Sequence, residues 1–412
     1  MTNVQEPDQV STASKKVRPK SIKKSSKNEF AVTFTFVKGA DKDKTNTVDS
    51  LMASVGAFDN LSMKNINVLS VLETSKEALC VQYTEQYDQL AAGHTDGAVR
   101  FYKPATLELL RSLIDDDITE NPAPVTCLKH RPLSKNYPVT HTLITTYANG
   151  CVKCWSYNFS QCLYTIREKR QTYGVAYHPR LPKFITCGSD GKINLYDEEN
   201  RIQERIFSGS ESASLLDGHT SRVFAACFNP RSNHELITGG WDDVVYFWDA
   251  RQPFAVRHIS GIHMCGEGLD ISPKGTEILT CSWQENDQIQ VWDYGSGNLI
   301  QTVRPDNVTS KLYCGRYLNK DFFVCGGTDN NLFRLIDVRN YVALAYIDKL
   351  PGAVYSVALG PMKKSKQPVA EVPKKKGLAG VDESSPNSDF NQAPIPRMAV
   401  SAGKRIYQIE YT

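Results

Sequence analysis

Short runs in which apolar and polar residues alternate recur from residue 66 to the C-terminus, separated by turns rich in Gly, Asp and Asn. Alternation with a period of two predicts half-buried β-strands, and many short strands at regular spacing predict an all-β protein. The fullest copy covers residues 218–249, GHTSRVFAACFNPRSNHELITGGWDDVVYFWD, and contains three such runs. We expect the rest of the chain to repeat this unit.

One position of the unit carries a large apolar or aromatic residue. Its copies lie 41 to 53 residues apart, at Tyr102, Trp155, Tyr196, Trp248, Trp292 and Ile336. Six residues before most of them stands a short polar side chain, at Asp96, Asn149, Asp190, Asp242 and Asn286. Asp and Asn suit tight turns because they hydrogen-bond the nearby backbone. The recurrence of the whole pattern predicts a repeat protein with six complete units.

A seventh unit is split. Strand-like runs at 353–359, 397–401 and 405–411 are interrupted by a Pro-, Lys- and Ser-rich insertion at about 362–395, which we expect to be disordered. This unit lacks an outer strand, whereas the run at 66–72 has no unit of its own. We therefore predict that residues 66–72 pair with the last unit and remove its free edge.

The Gly218-His219 pair and the closing Trp248-Asp249 pair resemble the WD40-repeat family. The resemblance covers residues 62–412 and implies a seven-bladed β-propeller with four-stranded blades around a channel. Because the seventh unit is split, six or eight blades remain alternatives. The resemblance is specific for the fold and unspecific for the function.

Residues 1–61 differ from the rest of the chain. They are polar and Lys-rich, and we expect a mostly disordered extension with a possible strand at 30–37. There is no apolar stretch long enough for a membrane span or a signal peptide, which favours a cytoplasmic or nuclear protein that is not secreted. The extension holds a run of seven basic residues that contains no acidic residue. Their charge exceeds the net charge of the whole chain, +3, so the rest of the chain is slightly acidic. They are Lys15, Lys16, Arg18, Lys20, Lys23, Lys24 and Lys27.

This basic tail has several interpretations. It fits a nuclear localisation signal, an arm that contacts nucleic acid, or an anchor on an acidic protein surface. A solvated tail without a partner fits equally well.

Four residues of the fullest unit, His219, Thr238, Asp242 and Trp248, contain the groups of a hydrolase-like site. The family resemblance implies instead that they form a buried hydrogen-bond chain within one blade. Such a chain has no exposed nucleophile, so we predict a structural network and no catalytic residues.

Two tryptophans stand at turns. Trp241 precedes the turn residue Asp242, and Trp283 enters the turn at 284–287. Tyr147, Arg222 and Tyr173 flank equivalent turns, so we predict that these five residues contribute to a partner-binding surface. Packing of the tryptophans against the neighbouring blade is the alternative.

Metal sites are not favoured by the sequence. The chain has 11 cysteines, most of them in strand-like runs typical of a reducing compartment. Cys151 and Cys154 form the one CxxC, but strand residues three apart face opposite sides. We expect the acidic run Asp115-Asp116-Asp117 to be solvated. We predict no metal, no cofactor and no small-molecule substrate.

These observations favour a non-enzymatic scaffold that binds proteins within a larger complex, with a cytoskeletal or ciliary role as a special case. The alternative is a nuclear or ribonucleoprotein factor that contacts nucleic acid through its basic tail. An enzyme is the least favoured class, because no convergent set of histidine and carboxylate side chains is visible in the sequence.

Overall fold

Each repeat folds into an antiparallel sheet of at least four strands, in a computed structural model that describes residues 61–134, 137–211, 215–362 and 393–412. Seven such sheets lie within the described residues, and we number them blades 1 to 7 in chain order. The first and innermost strands are β3 (Ala78–Tyr83), β7 (Val125–Lys129), β11 (Thr172–Tyr177), β15 (Val223–Phe228), β19 (Leu269–Ile271), β23 (Leu312–Tyr317) and β27 (Val354–Met362). The second strands are β4 (Leu90–His94), β8 (Thr142–Tyr147), β12 (Lys183–Gly188), β16 (Glu235–Gly240), β20 (Glu277–Cys281), β24 (Phe322–Gly327) and β28 (Pro396–Ala402).

The outer half of each blade has the same plan. The third strands are β5 (Val99–Tyr102), β9 (Cys151–Ser156), β13 (Ile193–Asp197), β17 (Val244–Asp249), β21 (Ile289–Asp293), β25 (Phe333–Asp337) and β29 (Arg405–Tyr411). The fourth strands of blades 1 to 6 are β6 (Leu109–Leu113), β10 (Gln161–Arg167), β14 (Ile202–Phe207), β18 (Arg257–Ser260), β22 (Leu299–Thr302) and β26 (Ala343–Asp348). A short helix, α1 (Asp116–Glu120), connects blades 1 and 2.

The sheets close into a ring because each innermost strand contacts the innermost strand of the next blade, and β27 contacts β3. The seven-bladed propeller predicted from the sequence is therefore confirmed, and the alternatives of six or eight blades are wrong. The aromatic or apolar position that defined the repeat lies on the third strand of blades 1 to 6. Trp155 and Trp248 at this position are fully buried between blades.

The ring is closed by the segment that precedes blade 1. The strand β2 (Ile66–Glu73) pairs antiparallel with β29 and becomes the fourth strand of blade 7, as predicted. A further strand, β1 (Ser62–Lys64), pairs with β26 and adds a fifth strand to blade 6, which the sequence did not indicate. The two consecutive strands thus cover the outer edges of two neighbouring blades.

Several sequence-based predictions concern residues outside the described ranges. These are the basic tail from Lys15 to Lys27, the possible strand at 30–37, and the insertion between residues 363 and 392. Across the described residues, no helix has the length and apolar character needed to cross a bilayer.

Candidate protein-binding surface

The four polar residues singled out in blade 4 form one hydrogen-bond chain. The Trp248 indole N–H donates to Thr238 Oγ1 at 2.7 Å, and Thr238 Oγ1 lies 2.7 Å from His219 Nε2. His219 Nδ1 lies 2.8 Å from Asp242 Oδ2, and the carboxylate also accepts the Thr220 backbone N–H. The order is consistent when Nδ1 carries the imidazole proton and the Thr238 hydroxyl donates to Nε2. The His219 and Asp242 side chains are at most 5% exposed, so the chain presents no group to a substrate.

Other blades place different chemistry at the same positions. In blade 3, Glu168 stands four residues before the innermost strand, as the histidine does in blade 4. It accepts a hydrogen bond from Thr186 Oγ1 at 2.5 Å and from Arg170 Nε at 2.9 Å, and Arg170 Nη1 donates to Asp190 at 2.7 Å. Burial opposes ionisation of Glu168, but the guanidinium and the hydroxyl donors outweigh it and lower the pKa of this carboxyl. An ion pair therefore replaces the imidazole in this blade.

The acidic run before blade 2 is not simply solvated, which corrects the expectation from the sequence. Lys153 on β9 is 2% exposed, and its ammonium lies 2.7 Å from Asp115 and 2.8 Å from Asp117. Asp115 also caps α1 by accepting the Ile118 backbone N–H. A buried ammonium requires such partners, because removal from water is costly without them.

A continuous series of aromatic rings follows one face of the propeller from blade 3 to blade 7. Neighbouring ring centroids are 4.6 to 6.4 Å apart. We call this series the aromatic arc; in order it comprises Tyr173, Phe224, Trp241, His263, Trp283, Tyr313 and Tyr355. All seven side chains are half-buried, so each keeps part of its ring accessible.

Four of these rings stand at β-bulges. Tyr173, Phe224, Tyr313 and Tyr355 each follow the first residue of an innermost strand, and the pairing register shifts at that point. A bulge leaves one residue unpaired and re-aims its side chain. The bulge therefore accounts for aromatic side chains that lie on the face and not between the sheets.

The two tryptophans occupy one equivalent position in blades 4 and 5. The backbone N–H of Trp241 donates to the carbonyl of Arg222, and that of Trp283 donates to the carbonyl of His263. The same backbone bond recurs in blades 1, 2, 3 and 6, where the donors are Thr95, Ala148, Ser189 and Thr328. Because small residues satisfy this position in four blades, the fold itself does not require tryptophan there.

Basic side chains cover both tryptophans. The Arg222 guanidinium carbon lies 4.7 Å from the centroid of the Trp241 ring, and Lys311 Nζ lies 4.9 Å from that of Trp283. Both distances fit cation–π contacts. The two buried indole N–H groups make no hydrogen bond of normal geometry among the described residues, although they adjoin the Cys265 thiol and the Tyr313 hydroxyl.

The arc curves around one buried thiol. Burial raises the pKa of Cys265 to about 11, while Trp241 and Arg222 act in the opposite direction. Burial also raises the pKa values of Tyr173, Tyr313 and Tyr355, and Cys265 adds to each increase. Electrostatic effects of this kind fall with distance, so the Cys265 thiol is coupled to rings from three different blades.

Of the five residues predicted for a partner surface, the structure brings four together, and Tyr147 is the exception. Its side chain is 1% exposed and belongs to the core cluster between blades 1 and 2. It ends strand β8 opposite Val125, and the bulge at this point inserts its extra residue, Thr126, into β7 and not into β8. Its predicted place on the surface is therefore wrong. Sequence reasoning also missed Phe224, Tyr313 and Tyr355, although the second residue is aromatic in four of the seven innermost strands, which was a usable signal.

The central channel contains charged residues that the sequence did not bring together. A cavity of about 230 Å³ is lined in part by Lys129, Glu267, Asp270 and Arg316. Glu267 pairs with Lys129 at 2.7 Å and accepts a hydrogen bond from the Cys127 thiol at 2.9 Å. Burial raises the pKa of Asp270, which accepts two backbone N–H groups. Both carboxylates are thus engaged by the protein itself, which fits a structural role.

The predicted CxxC pair is divided between two parts of the core. Cys151 packs with the cluster of blades 1 and 2, and Cys154 packs with the cluster of blades 2 and 3. The two side chains therefore face opposite sides of β9, as their spacing on a strand indicates.

Comparisons with known proteins point to one repeat family. The family model for "WD domain, G-beta repeat" matches residues 160–197 and 209–249. The chain is 28% identical over 207 residues to a striatin homolog of Dictyostelium discoideum, which covers 47% of this chain and 24% of that protein. It is 23% identical over 267 residues to the transcriptional corepressor LEUNIG_HOMOLOG of Arabidopsis thaliana, which covers 64% of this chain and 31% of that protein. It is 23% identical over 128 residues to the intraflagellar transport protein osm-1 of Caenorhabditis elegans, which covers 31% of this chain and 7% of that protein. The chain thus spans less than a third of the length of each of these relatives.

Proposed function

This chain is a WD40-repeat β-propeller, and from that premise we propose that it is a non-enzymatic scaffold that binds a protein partner on the aromatic arc. The observation that carries the proposal is the asymmetry between blades. Trp241 and Trp283 stand where four other blades have Thr, Ala or Ser with the same backbone bond. Large, rigid aromatics at accessible positions are the residues on which protein interfaces most depend.

The surface has a shape and a composition that suit a partner segment. Rings from five neighbouring blades form one continuous series, and four of them stand on paired strands. Rigid side chains lose little conformational entropy on binding, which favours affinity. The polar groups of the blade 4 network and of the channel are engaged within the protein, which supports binding over catalysis.

The setting of the scaffold follows from its relatives as a further proposal. One relative is named a transcriptional corepressor, and another is named an intraflagellar transport protein. A nuclear complex and a ciliary complex are accordingly the two settings to compare, both within a cytoplasmic or nuclear location. Imaging of the tagged full-length chain distinguishes them.

The test is affinity purification of the full-length chain with Trp241→Ala and Trp283→Ala combined. We expect the amount of each direct partner to fall roughly 30-fold or more, because hot-spot truncations cost about 2 kcal/mol or more. Trp292→Phe is the matched control. Trp292 donates to Thr280 at 3.2 Å on the third strand of blade 5, so its replacement alters a core tryptophan and leaves the arc intact.

Two results would contradict the proposal. One is unchanged partner capture by a folded double variant. The other is an equal loss of capture in the Trp292→Phe control, which would show that stability and not the arc decides binding.

A further inference from the structure

Three basic residues line the inner side of the arc, and they differ in how their charge is balanced. His263 Nδ1 pairs with Asp243 at 2.6 Å. Lys311 lies 3.7 Å from Glu285, a long contact to a side chain that is 82% exposed. Arg222 is exposed and makes no ion pair or side-chain hydrogen bond with any part of the chain that the structure describes. The inner side of the arc therefore carries positive charge that the protein balances incompletely.

The Trp241 ring holds the Arg222 guanidinium in place. Because the guanidinium is planar and stacks on an aromatic face, its N–H groups remain free at the edge. Such a fork matches a carboxylate with two parallel hydrogen bonds. Arg222 is thus positioned to bind a carboxylate with little further loss of side-chain freedom.

A second cation lies at a defined distance. The His263 ring lies between the two tryptophans, 6.0 Å from Trp241 and 6.2 Å from Trp283, so the tryptophan rings are within about 12 Å of each other. Lys311 covers the second ring. An extended segment rises about 3.3 Å per residue and alternates its side chains, so acidic side chains four positions apart lie on one side and match this spacing.

We infer that the aromatic arc recognises an acidic segment of a partner protein, whose carboxylates bind Arg222 and Lys311 while an apolar side chain between them packs over His263. This inference rests on the proposed function and specifies the chemistry of the partner. Incoming carboxylates replace the weak contact between Lys311 and Glu285 and supply the missing partner of Arg222. The apolar side chain covers the accessible part of the His263 ring, whose side chain is 28% exposed.

The same surface is less suited to a nucleic acid, although aromatic rings with cations also bind bases. Asp243 pairs with His263 and Glu285 lies near Lys311, and the side chains of these two acidic residues are 62% and 82% exposed. A continuous phosphate backbone would approach these carboxylates closely and be repelled. A peptide with separate acidic side chains carries no charge on the residues between them, so it need not bring negative charge close to Asp243 and Glu285.

The experiment is a selection from a random 12-residue peptide library on the purified full-length protein. It is run in parallel on Arg222→Glu combined with Lys311→Glu, and on Arg251→Glu. Arg251 lies in the turn between the third and fourth strands of blade 4, at the opposite end of the blade from Trp241, and its side chain is 69% exposed. It therefore controls for a charge reversal at a site away from the arc. An enriched peptide and a single-stranded RNA of 12 nucleotides are then titrated by fluorescence anisotropy against Arg222→Ala and Arg251→Ala.

We expect the unmodified protein and Arg251→Glu to enrich peptides with two acidic residues four positions apart and an apolar residue midway between them. The double charge reversal should enrich basic peptides. Arg222→Ala should weaken binding of the acidic peptide roughly tenfold, which corresponds to about 1.4 kcal/mol, and Arg251→Ala less than twofold.

Enrichment of uncharged or basic peptides, no enrichment at all, or tighter Arg222-dependent binding of the RNA would each overturn the inference. These outcomes are separate from failure of the proposed function. If the tryptophan variants lose their partners while the selected peptides are not acidic, the scaffold remains and the acidic chemistry is wrong.

Discussion

Replacement of Thr238 by Val tests whether the blade 4 hydrogen-bond chain stabilises the fold. Valine has nearly the same shape as threonine but lacks the hydroxyl that connects Trp248 Nε1 with His219 Nε2, both at 2.7 Å. The substitution leaves the indole N–H without an acceptor and the imidazole nitrogen without a donor. Thr238 is fully buried, so water does not replace either bond easily.

The expected magnitude follows from the count of groups left unpaired. A buried polar group without a partner costs about 1–3 kcal/mol, so two of them predict a loss of about 2–6 kcal/mol in the free energy of unfolding. Thr238→Ser keeps the hydroxyl and removes one methyl group, for which we expect roughly 1 kcal/mol. Thr145→Val in blade 2 is intermediate at about 1–3 kcal/mol, because its hydroxyl accepts only the Trp155 indole N–H, at 3.0 Å.

The assay is equilibrium urea unfolding of the full-length chain, followed by circular dichroism and by tryptophan fluorescence. Coincidence of the two transitions is required before a free energy is derived. Hydrogen exchange of the β16 amides gives a local measure of the same loss. If the free energies of unfolding of Thr238→Val and Thr238→Ser agree within about 0.5 kcal/mol, the reasoning is refuted, because the hydroxyl then contributes no net stability.

Two further predictions concern pH and ring closure. Burial lowers the pKa of His94 to about 4 and Arg100 adds to the shift, whereas the unfolded chain binds this proton near 6.5. The stability due to His94 is therefore present above pH 6.5 and lost as pH falls toward 4. In His94→Asn the urea midpoint should fall less over this range than in the unmodified protein. Equal dependence of the two urea midpoints on pH would contradict this. Removal of residues 1–65 deletes β1 and should leave a folded monomer, whereas removal of residues 1–73 also deletes β2, exposes the edge of β29 and should cause aggregation in light scattering. A monomeric shorter chain with an unchanged urea midpoint would show that β2 does not close the ring.

Much of the propeller was predictable because its signals are local and repeated. The residue equivalent to Trp248 recurs on the third strands, and a period of two in the flanking runs defines the strands themselves. The seventh unit lacked an outer strand and the run at 66–72 lacked a unit, so the two were predicted to pair. The structure confirms this, because β2 pairs with β29. Repetition compensates for the weakness of any single turn or strand.

The sequence was less informative about side chains whose environment comes from another blade. Lys153 looks like an ordinary strand lysine, but Asp115 and Asp117 lie 38 and 36 positions earlier and meet it only through the fold. Glu168 and Arg170 likewise show no family signature. Glu168 nevertheless occupies the position of the blade 4 histidine, and Arg170 pairs with it. Burial and pairing of charges depend on distant residues, which a local pattern does not encode.

The candidate surface shows the same division. Trp241 and Trp283 were identified because large aromatic residues at turns are typical of a binding surface. Tyr147 was misplaced, because a tyrosine at a strand end faces either the core or the solvent, and only the packing of the assembled blades decides which.

The sequence by itself determined the strands of each repeat and the segment that closes the ring, because periodic burial and turn chemistry are properties of neighbouring residues. The structure fixed the number of blades at seven, since the split seventh unit had left six or eight as alternatives. The tertiary structure alone decided which side chains share a face. Bulges at the start of four innermost strands turn Tyr173, Phe224, Tyr313 and Tyr355 out of the sheets, and ring closure brings them into line with two tryptophans from other turns. Convergence of this kind arises from the geometry of packed sheets, so the aromatic arc exists only in the assembled propeller.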